Sequence, residues 1–95
     1  MGIGDLLFEE VAMKNGMVRN PNLLEYKIPT ATDIPKIISI IVDSYEPRGP
    51  FGAKEVGETA RAAVMAAIAN AICNAIGKRI FTLPLTPDRI LQAIS

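Results

Sequence analysis

The chain has no histidine, no tryptophan and one cysteine, Cys73. Without histidine, the Cys–His, Ser–His and imidazole acid–base schemes are closed to the isolated chain. One thiol and no imidazole exclude a conventional zinc site and any internal disulfide. Net charge is also lacking: ten basic residues balance ten acidic ones, with no basic block. A nucleic-acid partner normally leaves a Lys/Arg-rich face, so the balance argues against one. Two tyrosines and three phenylalanines provide few platforms for stacking bases. The N-terminus lacks the basic start and long apolar run of a signal peptide, and the run from Ala62 to Ile76 is interrupted by Asn70 and Asn74. A cytoplasmic, reducing location without membrane insertion is the expectation.

What is present is apolar. Apolar residues make up 49% of the 95 positions, and the mean hydropathy is +0.27. One small domain over residues 1–95 is expected, with a thin core. So high an apolar fraction also points to surface covered by another chain or domain.

The order of elements predicts an α+β fold. Ile3, Leu6, Leu7 and Val11 recur at helical spacing, which predicts a short amphipathic helix over 3–10. Asn15-Gly16 is the dipeptide of a type I′ turn and predicts a hairpin with strands over 11–14 and 17–19. "NPNLLEYKIPTATDIP" carries three prolines and reads as an irregular crossing segment, with a turn near Asn20-Pro21. "KIISIIVDSY", residues 36–45, is a continuous β-branched run that predicts a strand buried on both faces. A glycine-rich loop over 47–57 leads into an alanine-rich helix over 58–76. On that helix Met65, Ile68, Ile72 and Ile76 form one stripe, and Gly77 stands as its C′ residue. "IFTLPL" is extended. Thr86 as N-cap, Pro87 at the first helical position and Asp88 in the first turn then open a last helix.

The loop "GPFGAKEVGET", residues 49–59, is the candidate site. Its glycines permit positive φ or a close approach of backbone to another group. Behind it the first-turn amides of the long helix are free donors at the positive end of the helix dipole. Glu58 at that mouth is a candidate general base. Equally, glutamate in a first turn is ordinary, and a solvated Lys54 is the plain reading of that residue. "GAKEVG" lacks the Lys-Ser/Thr of a nucleotide-binding P-loop. Asn70 and Asn74 read as interhelical hydrogen-bonding groups, and Cys73 as a small buried hydrophobe.

Gly52-Ala53-Lys54-Glu55-Val56-Gly57-Glu58, together with Tyr26-Lys27-Ile28-Pro29-Thr30, Asp33-Ile34-Pro35 and Leu83-Pro84-Leu85-Thr86-Pro87, resembles the xanthine dehydrogenase/aldehyde oxidase family. The match is to the C-terminal end of its molybdenum-cofactor-binding large subunit and covers essentially the whole chain. The resemblance implies that Glu58 is the catalytic base, taking the proton from the hydroxyl that attacks an electron-poor carbon of a purine, aldehyde or aromatic substrate. It implies that the loop of Gly52, Lys54, Val56 and Gly57 approaches the molybdopterin cofactor. It implies electron transfer to iron–sulfur clusters and partnership with the rest of the large subunit and with iron–sulfur and flavin subunits. The family commonly has a cofactor-contacting glutamine before the Gly-x-Gly that opens this region, where this chain has Met1. One loop does not hold a molybdopterin. The expectation is therefore a fragment that carries the base, binds no cofactor alone and does not turn over alone. The alternative is a non-catalytic interaction module that keeps the fold and forms a homo-oligomer through its apolar face. A small anion-binding domain built on the glycine loop is the third reading.

Overall fold

The structure is a computed structural model that describes residues 1–95. Helix α1 spans Gly2–Leu7, strands β1 and β2 span Met13–Lys14 and Met17–Val18, helix α2 spans Thr59–Ile76, and helix α3 spans Pro87–Ile94. A 3₁₀ turn, Pro50–Gly52, lies in the loop before α2. The expected α+β composition is present.

Local signals act where they were expected. β1 and β2 pair antiparallel with Met13 opposite Val18 and Lys14 opposite Met17. Asn15 and Gly16 between them have φ of 52° and 75°, the two positive values a type I′ turn needs. The paired strands are shorter than 11–14 and 17–19. Asn20 takes over beyond them: its Oδ1 accepts from the Ala12 amide at 2.9 Å and its Nδ2 donates to the Glu10 carbonyl at 2.6 Å. The turn expected at Asn20-Pro21 lies slightly later, where Asn22 Oδ1 accepts from the Leu24 amide. Gly77 closes α2 in the left-handed region, φ 70°, with its amide donating to the Cys73 carbonyl. Thr86 caps α3 by accepting from the Arg89 amide, and Pro87 opens that helix. Along α2, Met65, Ile68, Ile72 and Ile76 are all half-buried, so the expected stripe is the covered face of the helix. Cys73 is half-buried on the same helix.

The core is very small. Leu6 and Leu85 are the only buried apolar side chains, and the Leu85 amide donates to the Leu6 carbonyl. α1 crosses α2 at Gly2, where an added Cβ would stand 2.9 Å from the Arg61 carbonyl oxygen and 3.1 Å from Val64 Cβ. Asp5 of α1 forms an ion pair with Arg61 of α2, a contact of charge without hydrogen-bond alignment. The radius of gyration is 17.0 Å, against about 12 Å for a compact domain of this length. The chain does not close a hydrophobic interior by itself.

One expectation fails outright. Residues 36–45 form no strand and are not buried. Ile40 is 82% exposed and Ile41 92%. No backbone amide or carbonyl from Ile34 to Tyr45 is hydrogen-bonded within the chain. The β-branched run is extended, as its composition dictates, but the chain has no second strand long enough to pair with it. A sheet needs a neighbour as well as a propensity.

α2 is 18 residues long with mean hydropathy 1.4 and meets the length and composition of a membrane span. Two of its polar side chains are engaged by protein, Arg61 by Asp5 and Asn70 Oδ1 by Arg79 Nη1 at 3.0 Å, whereas Asn74 is exposed and makes no hydrogen bond within the chain.

Candidate functional site

The loop before α2 closes on itself. The Glu46 amide donates to the Gly52 carbonyl at 3.1 Å, and the Gly52 amide to the Gly49 carbonyl at 3.1 Å. Glu46 Oε1 also accepts from the Arg48 amide. Phe51 and Gly52 are successively left-handed, with φ of 54° and 79°. A Cβ on Gly52 would lie 2.3 Å from Tyr45 Cδ2, and one on Gly49 would lie 2.3 Å from the Ala53 carbonyl oxygen. These two glycines are needed so that the loop can pack on its own atoms. Gly52 is buried under Tyr45 and presents no open backbone to a ligand.

Gly57 is different. It is exposed, has no positive φ, and an added Cβ would meet only Glu55 Oε1, at 3.1 Å. It lies on a cleft of about 280 Å³ at the junction of α1 and α2, bounded also by Met1, Gly2, Ile37, Ala60 and Arg61. Met1 lines that cleft. Lys54, Val56 and Glu58 are exposed and stand outside it. The structure thus brings Gly57 to the cleft, leaves Lys54, Val56 and Glu58 exposed outside it, and buries Gly52 inside the loop.

The start of α2 depends on Glu55, a residue with no role among the expected site residues. Glu55 Oε1 accepts from the Glu58 amide at 2.8 Å, and Glu55 Oε2 accepts from the Thr59 hydroxyl. The Thr59 hydroxyl, then the Glu58 amide, hold the Glu55 carboxyl below its ordinary value. The available signal was spacing, a carboxylate three and four positions ahead of the first helical residues. Because Glu55 supplies the cap, Glu58 sits at the N-cap position with no capping bond from its side chain. Its carboxylate makes no hydrogen bond or ion pair within the chain. Glu58 is exposed, and a regular 18-residue helix begins directly behind it.

A second polar contact ties the turn after α1 to the crossing segment. The Tyr26 hydroxyl donates to Glu9 Oε2 at 2.6 Å, and this bond raises the tyrosine pKa above its ordinary value, with desolvation and the Glu9 charge adding to it.

For a bulky anionic cofactor, these residues fit one wall of a site. Gly57 leaves bare backbone in the cleft, and outside it the Glu58 carboxylate and Lys54 ammonium make no hydrogen bond or ion pair within the chain. Arg61, the cleft's cation, is already paired with Asp5.

The molybdopterin cofactor-binding domain family matches residues 1–35. The putative xanthine dehydrogenase molybdenum-binding subunit XdhA of Escherichia coli (strain K12) is 50% identical over 94 residues, covering 97% of this chain and 12% of that protein. The aldehyde oxidoreductase molybdenum-binding subunit PaoC of the same organism is 40% identical, covering 99% of this chain and 13% of that protein. Among solved structures, quinoline 2-oxidoreductase from Pseudomonas putida 86 superposes with a TM-score of 0.79 at 33% identity, over 98% of this chain and 13% of that one. The chain therefore spans about an eighth of the proteins it matches, and the match covers 97–99% of this chain. It is homologous, over essentially its whole length, to one segment of the molybdenum-binding subunits of the xanthine dehydrogenase/aldehyde oxidase family.

Proposed function

We propose that this chain is the base-bearing C-terminal segment of a molybdenum hydroxylase large subunit, acting in the cytoplasm. The observation that carries this reading is the division of labour between two glutamates. Glu55 caps α2, so Glu58 is held at the helix mouth with its carboxylate unengaged. Glu58 makes no capping bond of its own, so its carboxylate is not committed to the helix end. An unengaged carboxylate fixed to a helix end is placed to accept a proton from a group brought to it.

In the complete subunit Gly57 backbone would line the cofactor, with Lys54 and Val56 on the same exposed turn. Gly52 contributes indirectly, by closing the loop under Tyr45. The molybdenum–molybdopterin group supplies the redox chemistry when bound. Glu58 Oε atoms hold the proton released as the substrate is hydroxylated. Iron–sulfur and flavin subunits complete the electron path. With two buried apolar side chains and one wall of a cofactor site, the chain alone is inactive.

The test is a chimera in which residues 1–95 replace the matching segment of Escherichia coli XdhA. It should load molybdenum and turn over. Glu58→Gln in the chimera should keep the metal and lose about 10²–10⁴-fold in rate, the range for a lost general base. An undiminished rate removes Glu58 from the chemistry.

The exposed apolar surface favours a second reading for the chain by itself. Six of 95 residues are buried, and such a chain self-associates when no larger partner is present. Sedimentation of the lone chain measures this: a monodisperse dimer supports the interaction module, and a monomer counts against it.

A further inference from the structure

We infer that residues 36–44 are an inserted strand, which docks the chain by pairing with a sheet in the remaining polypeptide of a molybdenum-binding large subunit. The inference rests on the proposed place of the chain in such a subunit and names the segment through which it is held there.

Both ends of the segment are pinned. Before it, Asp33 Oδ2 accepts from the Thr30 amide and hydroxyl, closing a turn. After it, the Glu46 amide is bonded to the Gly52 carbonyl. Between these anchors the backbone is extended and every amide and carbonyl from Ile34 to Tyr45 is free. Alternation puts Ile38, Ile40 and Val42 on one face, and Ile37 and Ile41 on the other. Ile37 reaches the cleft between α1 and α2, so the second face starts against this chain's own helices. The first face has nothing in this chain to cover it, with Ile38 74%, Ile40 82% and Val42 78% exposed.

A strand apolar on both faces belongs inside a sheet that is covered on both sides. Left free, a run such as Ile37–Val42, uncharged, rich in β-branched residues and with open hydrogen-bonding edges, is a template for aggregation. A second copy of this chain is a poor occupant. It could pair one edge only, and it has no further sheet, since β1 and β2 are two residues each and lie in an exposed hairpin. The larger polypeptide is available wherever the chain is matched. In XdhA, PaoC and the quinoline enzyme the corresponding segment is 12–13% of a much longer chain.

Hydrogen exchange on the XdhA chimera and on the isolated 95-residue chain tests this. The peptide 36–44 should exchange freely in the isolated chain and slowly in the molybdenum-loaded chimera. Ile40→Pro and Ile41→Pro each remove an amide that pairs with nothing in the isolated chain. They should leave its helical circular dichroism unchanged, and at least one should abolish recovery of soluble chimera. A loaded chimera in which 36–44 exchanges as fast as in the isolated chain overturns the docked strand and leaves the proposed function standing. A chimera that neither assembles nor loads metal overturns the proposed function, and this inference with it. Slow exchange of 36–44 in a dimer of the isolated chain also overturns it, by making a second copy the occupant.

Discussion

The Glu55 carboxylate reaches forward to the Glu58 amide at 2.8 Å and to the Thr59 hydroxyl. One glutamate thereby anchors the helix on which the other is presented. Glu55→Ala should therefore fray the first turn of α2 and free the Glu58 amide to exchange, while Glu58→Gln should leave both as they are. Amide exchange at 58–61 distinguishes the two variants. A Glu55→Ala chain with unchanged exchange would remove the cap.

The same contact gives a pH dependence. The folded Glu55 pKa lies below its unfolded value. Its contribution is fully present above the unfolded value and is lost as pH falls through the lowered, folded one. The Glu58 amide should become more exchange-labile across that acidic window, after correction for intrinsic rates. Glu55→Gln should flatten the profile.

Gly52 and Gly57 should respond oppositely to alanine. At Gly52 a Cβ would collide with the Tyr45 ring and be forced into φ 79°. The left-handed conformation alone costs roughly 1–2 kcal/mol for a residue with a Cβ. Gly52→Ala should open the loop, read as faster exchange of the Glu46 amide that donates to the Gly52 carbonyl. Gly57→Ala should keep that bond, because its only near neighbour is the flexible end of Glu55 at 3.1 Å. In the loaded chimera, however, Gly57→Ala should reduce molybdenum content, since the proposed cofactor contact is made by bare backbone at this cleft position.

Tyr26 reports on the packing of the turn that follows α1. Its hydroxyl donates to Glu9 Oε2, and its pKa is raised. The stabilisation is complete below the unfolded tyrosine value and disappears as pH rises through the folded one. Alkaline difference spectra of the two-tyrosine chain should show the Tyr26 midpoint fall in Glu9→Gln. An unmoved midpoint would mean that the bond does not persist in solution.

Gly2 controls the crossing of α1 and α2. Gly2→Val should push α1 off the Arg61 carbonyl and Val64, since even a Cβ there is 2.9 Å from backbone oxygen. The Asp5–Arg61 pair, with Arg61 46% exposed, should not compensate, because partly exposed ion pairs contribute about 0.2–1 kcal/mol. Loss of cross-peaks between α1 and α2 in nuclear magnetic resonance spectra would record the separation.

Residues 11–20, 76–77 and 86–89 show what was readable from the chain alone. Asn15-Gly16 admits positive φ at both positions, Gly77 accepts the left-handed C′ conformation, and Thr86-Pro87 opens a helix. Each is decided within a few bonds, by sterics and by the nearest unpaired amide, so local sequence suffices. The apolar stripe of α2 was legible for the same reason, since helical periodicity is local. Tertiary structure decided the rest. Gly52 is required by a tyrosine seven positions away, Gly57 faces a cleft built from α1, and Glu55 takes the capping role that leaves Glu58 free. Residues 36–44 mark the boundary most clearly. Their β-branched side chains dictate extension, but burial and pairing are properties of a neighbour, and no strand within these 95 residues can supply one.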